Sequence, residues 1–295
     1  MIRTRVLVGS ILGWGTLALL VGDRYLAPWF PVLFVTIVFV AVLMTRELVR
    51  LFPPYTRPSG PFLILGVVAT ITANWYPVAQ QSLATILPPV ASAWEAVVFV
   101  FVGVVVVAFL IEVNRYREPG TAVPRLGLTV LSVAYLGLLG SFLVQLRSLS
   151  PDPVRTSLYL ASAIFVPKYG DIGAFFAGTF LGRHKMTPIL SPKKTWEGFV
   201  GGLFGAALAA VVITAVGEWA SLSLFKGGYG EAIVFGMVVG VAGVLGDLAE
   251  SLIKRDCQIK DASKNLPGFG GVLDVIDSVL FAAPVVYCWF RIRQP

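Results

Sequence analysis

The sequence predicts an all-α membrane protein that crosses the bilayer about nine times. Three observations carry that expectation. Of the 295 residues, 57% are hydrophobic and only 13% are charged, whereas a soluble domain carries about a quarter charged residues. Mean hydropathy is +0.83. Apolar runs of roughly 20 residues recur along the chain, the helical length that spans a bilayer core. The short alternating segments of a membrane barrel are absent, and helices are the remaining way to satisfy backbone groups in lipid.

The spans are expected at about 5–22, 27–45, 61–80, 92–111, 126–146, 156–181, 197–217, 231–253 and 271–290. The first follows Arg3 and Arg5. It reads as an uncleaved helix because no small-x-small cleavage site is clear and more spans follow. Prolines flank the second and third. Loop charges fix the expected orientation. With the N-terminus in the cytoplasm, the inside loops hold Arg46, Arg50 and Arg57, then Arg115, Arg117 and Arg125, then Arg183, Lys185, Lys193 and Lys194, then Lys254, Arg255, Lys260 and Lys264. The outside loops hold only Arg24, Arg147, Arg155 and Lys226, with Arg291 and Arg293 at the C-terminus as a mild conflict. The positive-inside rule therefore favours a cytoplasmic N-terminus. No internal repeat is evident. Residues 1–150 read as transmembrane helices of unassigned role and 151–295 as the catalytic region.

The net charge of +7 reports topology rather than nucleic acid, which is not an expected partner. The two cysteines, Cys257 and Cys288, have no disulfide or metal spacing. His184 is the single histidine, so chemistry rests on carboxylates, Lys/Arg, hydroxyls and any bound metal.

Those groups gather in the C-terminal half. In "GVLGDLAESLIKR", Asp247, Glu250, Ser251 and Lys254 form one stripe of a helix. Either an acid pairs with Lys254 within the stripe, or the stripe lines a wet or metal-bearing cavity. In "GGVLDVIDS", Asp274, Asp277 and Ser278 follow a turn marked by Pro267, Gly268, Gly270 and Gly271. The turn returns Asp274 and Asp277 beside Asp247. Three converging acids without His or Cys favour Mg²⁺. In "SPKKTWEGFVGG", Ser191, Lys193, Lys194 and Thr195 precede a glycine-rich helix start. That arrangement suits phosphate, or equally a basic loop on anionic lipid. In "FVPKYGDIGAFFAG", Lys168 and Asp171 lie at i, i+3 inside an apolar span, either as a structural couple or as cavity lining.

Together these segments closely resemble the CDP-diacylglycerol synthase (phosphatidate cytidylyltransferase) family. Its pattern reads here as Ser251, Lys254-Arg255, Lys260-Asp261, Pro267-Gly268, Gly270-Gly271, Asp274 and Asp277. "GDIGAFFAG", "SPKKTWEG" and "GDLAES" are also similar to family segments, so the resemblance covers roughly residues 165–280. Phe269 stands where the family usually has His, and Val275 where it usually has Arg. Those departures put substrate contacts in question more than the fold.

The resemblance implies the reaction of CTP with phosphatidic acid to give CDP-diacylglycerol and pyrophosphate. It implies an active-site cavity on the cytoplasmic side of the C-terminal half, in a bacterial-type cytoplasmic membrane. Asp247, Asp274 and Asp277 are the expected Mg²⁺ ligands. Lys193 and Lys194 are expected on the triphosphate, with Ser191 and Thr195 assisting. Lys254, Arg255 and Lys260 are expected on the remaining phosphate charge, with Ser251, Lys168 and Asp171 lining the substrate site. Asp261 either orients a lysine or binds a second cation. A homodimer is allowed by the sequence but not dictated by it.

Two other classes fit less well. A CTP-dependent transferase or kinase acting on another lipid would share the site. A cation-coupled transporter would show repeats and broken helices in both halves, with acids near mid-membrane. The clustered acids here lie in the C-terminal half, near the expected cytoplasmic ends.

Overall fold

The computed structural model describes residues 2–259, 262–263 and 270–293. The helices are α1 (Ile2–Gly22), α2 (Pro31–Leu51), α3 (Gly60–Thr72), α4 (Tyr76–Ser82), α5 (Ala93–Arg115), α6 (Ala122–Ser132), α7 (Leu139–Gln145), α8 (Pro153–Phe180), α9 (Trp196–Trp219), α10 (Gly228–Asp256) and α11 (Val272–Arg293). A two-stranded antiparallel hairpin, β1 (Lys185–Thr187) with β2 (Ser191–Thr195), joins α8 to α9.

Among the described residues, eight helical segments are long and apolar enough to cross a membrane. They match eight of the expected spans. The segment expected at 156–181 is also one continuous helix, α8, of 28 residues. It is not among those eight, and it carries the charged residues Lys168 and Asp171 within its apolar run. The stretch expected to be one span at 61–80 is built from α3, a short 3-10 turn and α4. The span expected at 126–146 contains a π-helical turn, Val133–Leu138, between α6 and α7.

Local chemistry sets the helix starts. Asp23 is buried and accepts from Val32 N and Leu33 N at 3.0 and 3.3 Å. It thus satisfies two of the free N–H groups at the head of α2. Asp152 accepts from Val154 N at 2.9 Å, with Pro153 at the first position of α8. Thr195 Oγ1 accepts from Gly198 N at 3.1 Å and caps α9.

Two of the three packed clusters among the described residues are large. One gathers Tyr159, Phe225, Phe235 and Phe290 among α8, α10, α11 and the loop before α10. The other gathers Met44, Leu48, Phe52, Leu63, Leu136 and Leu273 among α2, α3, the π turn and α11. Helix α11 contributes to both, with Leu273 and Leu280 in one and Val286 and Phe290 in the other.

Small residues let the C-terminal helices touch backbone to backbone, the usual way for helices to associate in lipid. A Cβ at Gly205 would lie 2.5 Å from Tyr169 O, and one at Gly201 would collide with Ala177. These glycines clamp α9 onto α8. A Cβ at Gly246 would overlap Asp277 O, and one at Gly243 would come within 2.9 Å of Pro167 Cβ. Those two bring α10 against both α11 and α8.

Candidate active site

The close crossing of α10 and α11 at Gly246 carries Asp277 up to the acidic stripe of α10. Ligand oxygens of Asp247, Glu250 and Asp277 lie within 4.8 Å of one another. Glu250 and Asp277 are buried, and Asp247 is half-buried. Asp277 Oδ1 also accepts from Ser278 N at 2.6 Å.

Three lysines stitch the neighbouring helices to these acids. Lys194, at the end of the hairpin, places Nζ 2.8 Å from Asp247 Oδ2. Lys254 reaches Glu250 Oε2 and Asp274 Oδ1, both at 2.6 Å. Lys168 lies 3.0 Å from Asp171 Oδ2 and 3.7 Å from Asp277 Oδ1. Ser278 Oγ closes the set by donating to Asp171 Oδ2 at 3.1 Å. Asp171, Asp247, Glu250, Asp274 and Asp277 set five carboxylates against three ammonium groups, a formal charge of −2. Asp171 and Asp247 keep more than a third of their side-chain surface exposed, so the costly part of this surplus is at the buried Glu250 and Asp277, where a cation would offset it.

The donor set suits a hard divalent cation, because every ligand atom is a carboxylate oxygen. Glu250 adds a second sign. Its Oε2 is held by Lys254, while its Oε1 is buried with no hydrogen-bond partner among the described residues. A buried acceptor left unpaired is expensive, and a cation at this cluster would satisfy it.

The structure therefore brings together Asp247, Asp277, Lys168, Asp171, Lys194, Lys254 and Asp274 from the sequence-based set, but Asp274 faces differently from the other two expected ligands. Its Oδ2 accepts from Gly271 N at 2.5 Å and Ala262 N at 3.3 Å, and its Oδ1 is on Lys254. The third acid in the group of three is Glu250. Glu250 lies in the stripe read from the sequence, where an acid is expected either to pair with Lys254 or to line a wet or metal-bearing cavity, but it is not among the three expected ligands.

Thr195 is buried and spends its hydroxyl on the α9 cap. Lys193 is exposed on β2, and Ser191 is half-buried with its carbonyl accepting from Thr187 Oγ1 at 3.4 Å. Arg255 is exposed and donates to Leu190 O at 3.3 Å, tying the end of α10 to the hairpin. Ser251 is half-buried on α10. Lys260 and Asp261 lie outside the described residues, as do Lys264, Pro267, Gly268 and Phe269. Val275 is half-buried in the first turn of α11. Glu197 turns instead to the residues just before β1, accepting from Arg183 N at 3.0 Å and contacting His184 Nδ1 at 2.6 Å.

Comparison with known proteins shows what the chain is similar to. A model of the cytidylyltransferase family matches residues 3–293. The phosphatidate cytidylyltransferase of Bacillus subtilis (strain 168) is 34% identical over 161 residues, covering 55% of this chain and 56% of that protein. The phosphatidate cytidylyltransferase of Staphylococcus saprophyticus is 34% identical over 157 residues, covering 53% and 56%. That of Synechocystis sp. is 36% identical over 146 residues, covering 49% and 47%. The chain thus spans about half the length of the curated relatives it matches. With the family model running from the first helix to the last, the chain belongs to the cytidylyltransferase family.

Proposed function

We propose that this protein is a phosphatidate cytidylyltransferase of the bacterial cytoplasmic membrane, with its site open to the cytoplasm. The observation that carries the reading is the convergence of Asp247, Glu250 and Asp277 with Lys194 and Lys254 at one end of the helices. The names of the relatives supply the substrate pair, CTP and phosphatidic acid.

The chemistry needs little more than position and charge. A phosphate oxygen of the lipid attacks the α-phosphorus of CTP, the new P–O bond forms, and the bond to the β-phosphate breaks to release pyrophosphate. The attacking phosphate is already anionic, so no general base is required. Asp247, Glu250 and Asp277 are the residues that would hold Mg²⁺, which when bound neutralises phosphate charge as a Lewis acid. Lys194 and Lys254 sit beside those acids. In this reading they exchange part of their carboxylate contact for substrate phosphate, as point-charge donors suited to it. Asp274 orients Lys254. Asp171 and Ser278 hold Lys168 against Asp277. Lipid enters from the side of the bundle, and CTP from the aqueous face.

The test is turnover by the purified protein with CTP and a panel of lipid phosphates and lipid alcohols, with and without Mg²⁺. The reading predicts liponucleotide formation from phosphatidic acid that depends on the divalent cation. Turnover confined to a lipid alcohol would refute it.

A further inference from the structure

The start of α11 is capped differently from those of α8 and α9. Asp152 and Thr195 cap their helices from the position just before the first turn. The corresponding position of α11 is Gly271, which has no side-chain oxygen to offer. Half of a capping box is present, because Asp274 Oδ2 reaches back to Gly271 N at 2.5 Å. The other half comes from the opposite end of the sequence. Glu47 of α2, 226 positions earlier, accepts from Leu273 N through Oε2 at 2.9 Å. Its Oε1 accepts from Ser263 Oγ at 2.6 Å. Glu47 is 1% exposed. A Cβ on Gly271 would lie 2.5 Å from Glu47 Oε2. The glycine leaves open the space a cap side chain would fill, and the α2 carboxylate fills it.

We infer that Glu47 is a positioning residue, a helix cap supplied by the N-terminal half that fixes the start of α11 and with it Asp274 and Asp277. The inference rests on the cytidylyl-transfer reading for its effect on rate, though not for the cap itself. Leu273 directly precedes Asp274, and Asp277 lies one turn further on. A negative group at a helix N-terminus is also favoured by the helix dipole. Loss of the cap frees the first turn, which carries one acid and aims the next.

The experiment uses the full chain in lipid nanodiscs with four variants: Glu47→Ala, Glu47→Gln, Gly271→Ser, and Glu47→Ala combined with Gly271→Ser. Two readouts are taken, cytidylyl-transfer kinetics and amide hydrogen exchange of the first turn of α11. Glu47→Ala is expected to lower kcat about 100-fold, the scale of a roughly 1 Å misplacement. CTP KM should stay within about threefold, and exchange in that turn should rise about fivefold. Glu47→Gln keeps an acceptor for Leu273 N–H and should hold kcat within about tenfold of the parent. Gly271→Ser alone brings its Cβ onto Glu47 and should lose rate. The double variant supplies a serine cap in the vacated space and should recover about tenfold over Glu47→Ala.

A normal kcat in Glu47→Ala, a loss that only tracks unfolded protein, or a double variant no better than Glu47→Ala would each overturn the inference. If Glu47→Ala does not fold, a parental rate and parental exchange in Gly271→Ser would overturn it. If the parent protein transfers no cytidylyl group, the proposed function fails. The exchange readout still decides the cap, and unchanged exchange in Glu47→Gln and Glu47→Ala together would refute it.

Discussion

Gly246→Ala is the smallest change that separates the two helices carrying the acids. An added Cβ would collide with Asp277 O and lie 3.0 Å from Ser278 Cα and 3.1 Å from Asp277 C. Ordinary contact begins near 3.4 Å, and all three atoms are backbone, so no side chain can swing aside. Relief requires α11 to move off α10 by several tenths of an ångström to about 1 Å. Overpacking of this kind costs about 1–3 kcal/mol in stability. Its effect on rate is expected to be larger, because Asp277 moves relative to Asp247 and Glu250, which now lie within 4.8 Å of it. A shift near 1 Å in a catalytic constellation costs about 100-fold. The assay is turnover of CTP with phosphatidic acid per folded molecule, read beside the thermal midpoint. Gly103→Ala on α5 is the control, since that glycine is exposed with nothing within 4 Å of the added Cβ, and its rate should stay within about twofold. Parental turnover and parental cation dependence in Gly246→Ala would refute the idea that this crossing sets the site.

Other changes separate the roles of neighbouring groups. Asp277→Asn should raise the Mg²⁺ concentration for half-maximal rate by about tenfold or more, whereas Asp274→Asn should lower the rate with little change in that midpoint. The same Mg²⁺ shift in both would return Asp274 to the ligand set. Lys194→Gln, which breaks the contact to Asp247, should raise CTP KM about tenfold, while the exposed Lys193→Gln should do so less; equal KM values for Lys194→Gln and the parent would remove Lys194 from the nucleotide. Thr187→Cys, in a background with Cys257 and Cys288 replaced by serine, should resist a membrane-impermeant thiol reagent in intact cells, and ready labelling would invert the topology. Burial first, and then the charge of Asp256, push the Cys257 thiol up. Because the thiolate is the reactive form, Cys257 in a Cys288→Ser protein should alkylate more slowly than a simple thiol at about pH 7 and accelerate as pH rises past about 9; fast reaction near neutrality would contradict that environment.

The helices were readable because apolar runs of bilayer length have few other uses. The acids in α10 and α11 stood out for the same reason, since a carboxylate inside an apolar run demands a partner. What the sequence concealed were the pairings across large separations. Lys194 and Glu197 lie three apart and invite a local pair, yet Lys194 meets Asp247 on α10 while Glu197 turns to Arg183 and His184. Glu250 was visible in the stripe but not as one of the three converging acids, because spacing along α10 does not say which acid of α11 faces it. Gly246 decides that by letting Asp277 approach. Glu47, in "TRELVR", reads as one more charge near a helix end. Only the fold reveals that α2 presents it to Ser263 and Leu273.

The most direct test of cytidylyl transfer is the fate of two labels. Purified protein is given phosphatidic acid and Mg²⁺ with CTP carrying ³²P at either the α or the γ position. Attack on the α-phosphorus predicts lipid-soluble label from α-labelled CTP alone, with γ label recovered in pyrophosphate in equal amount. Lipid-soluble label from γ-labelled CTP, or none from either, would contradict the account.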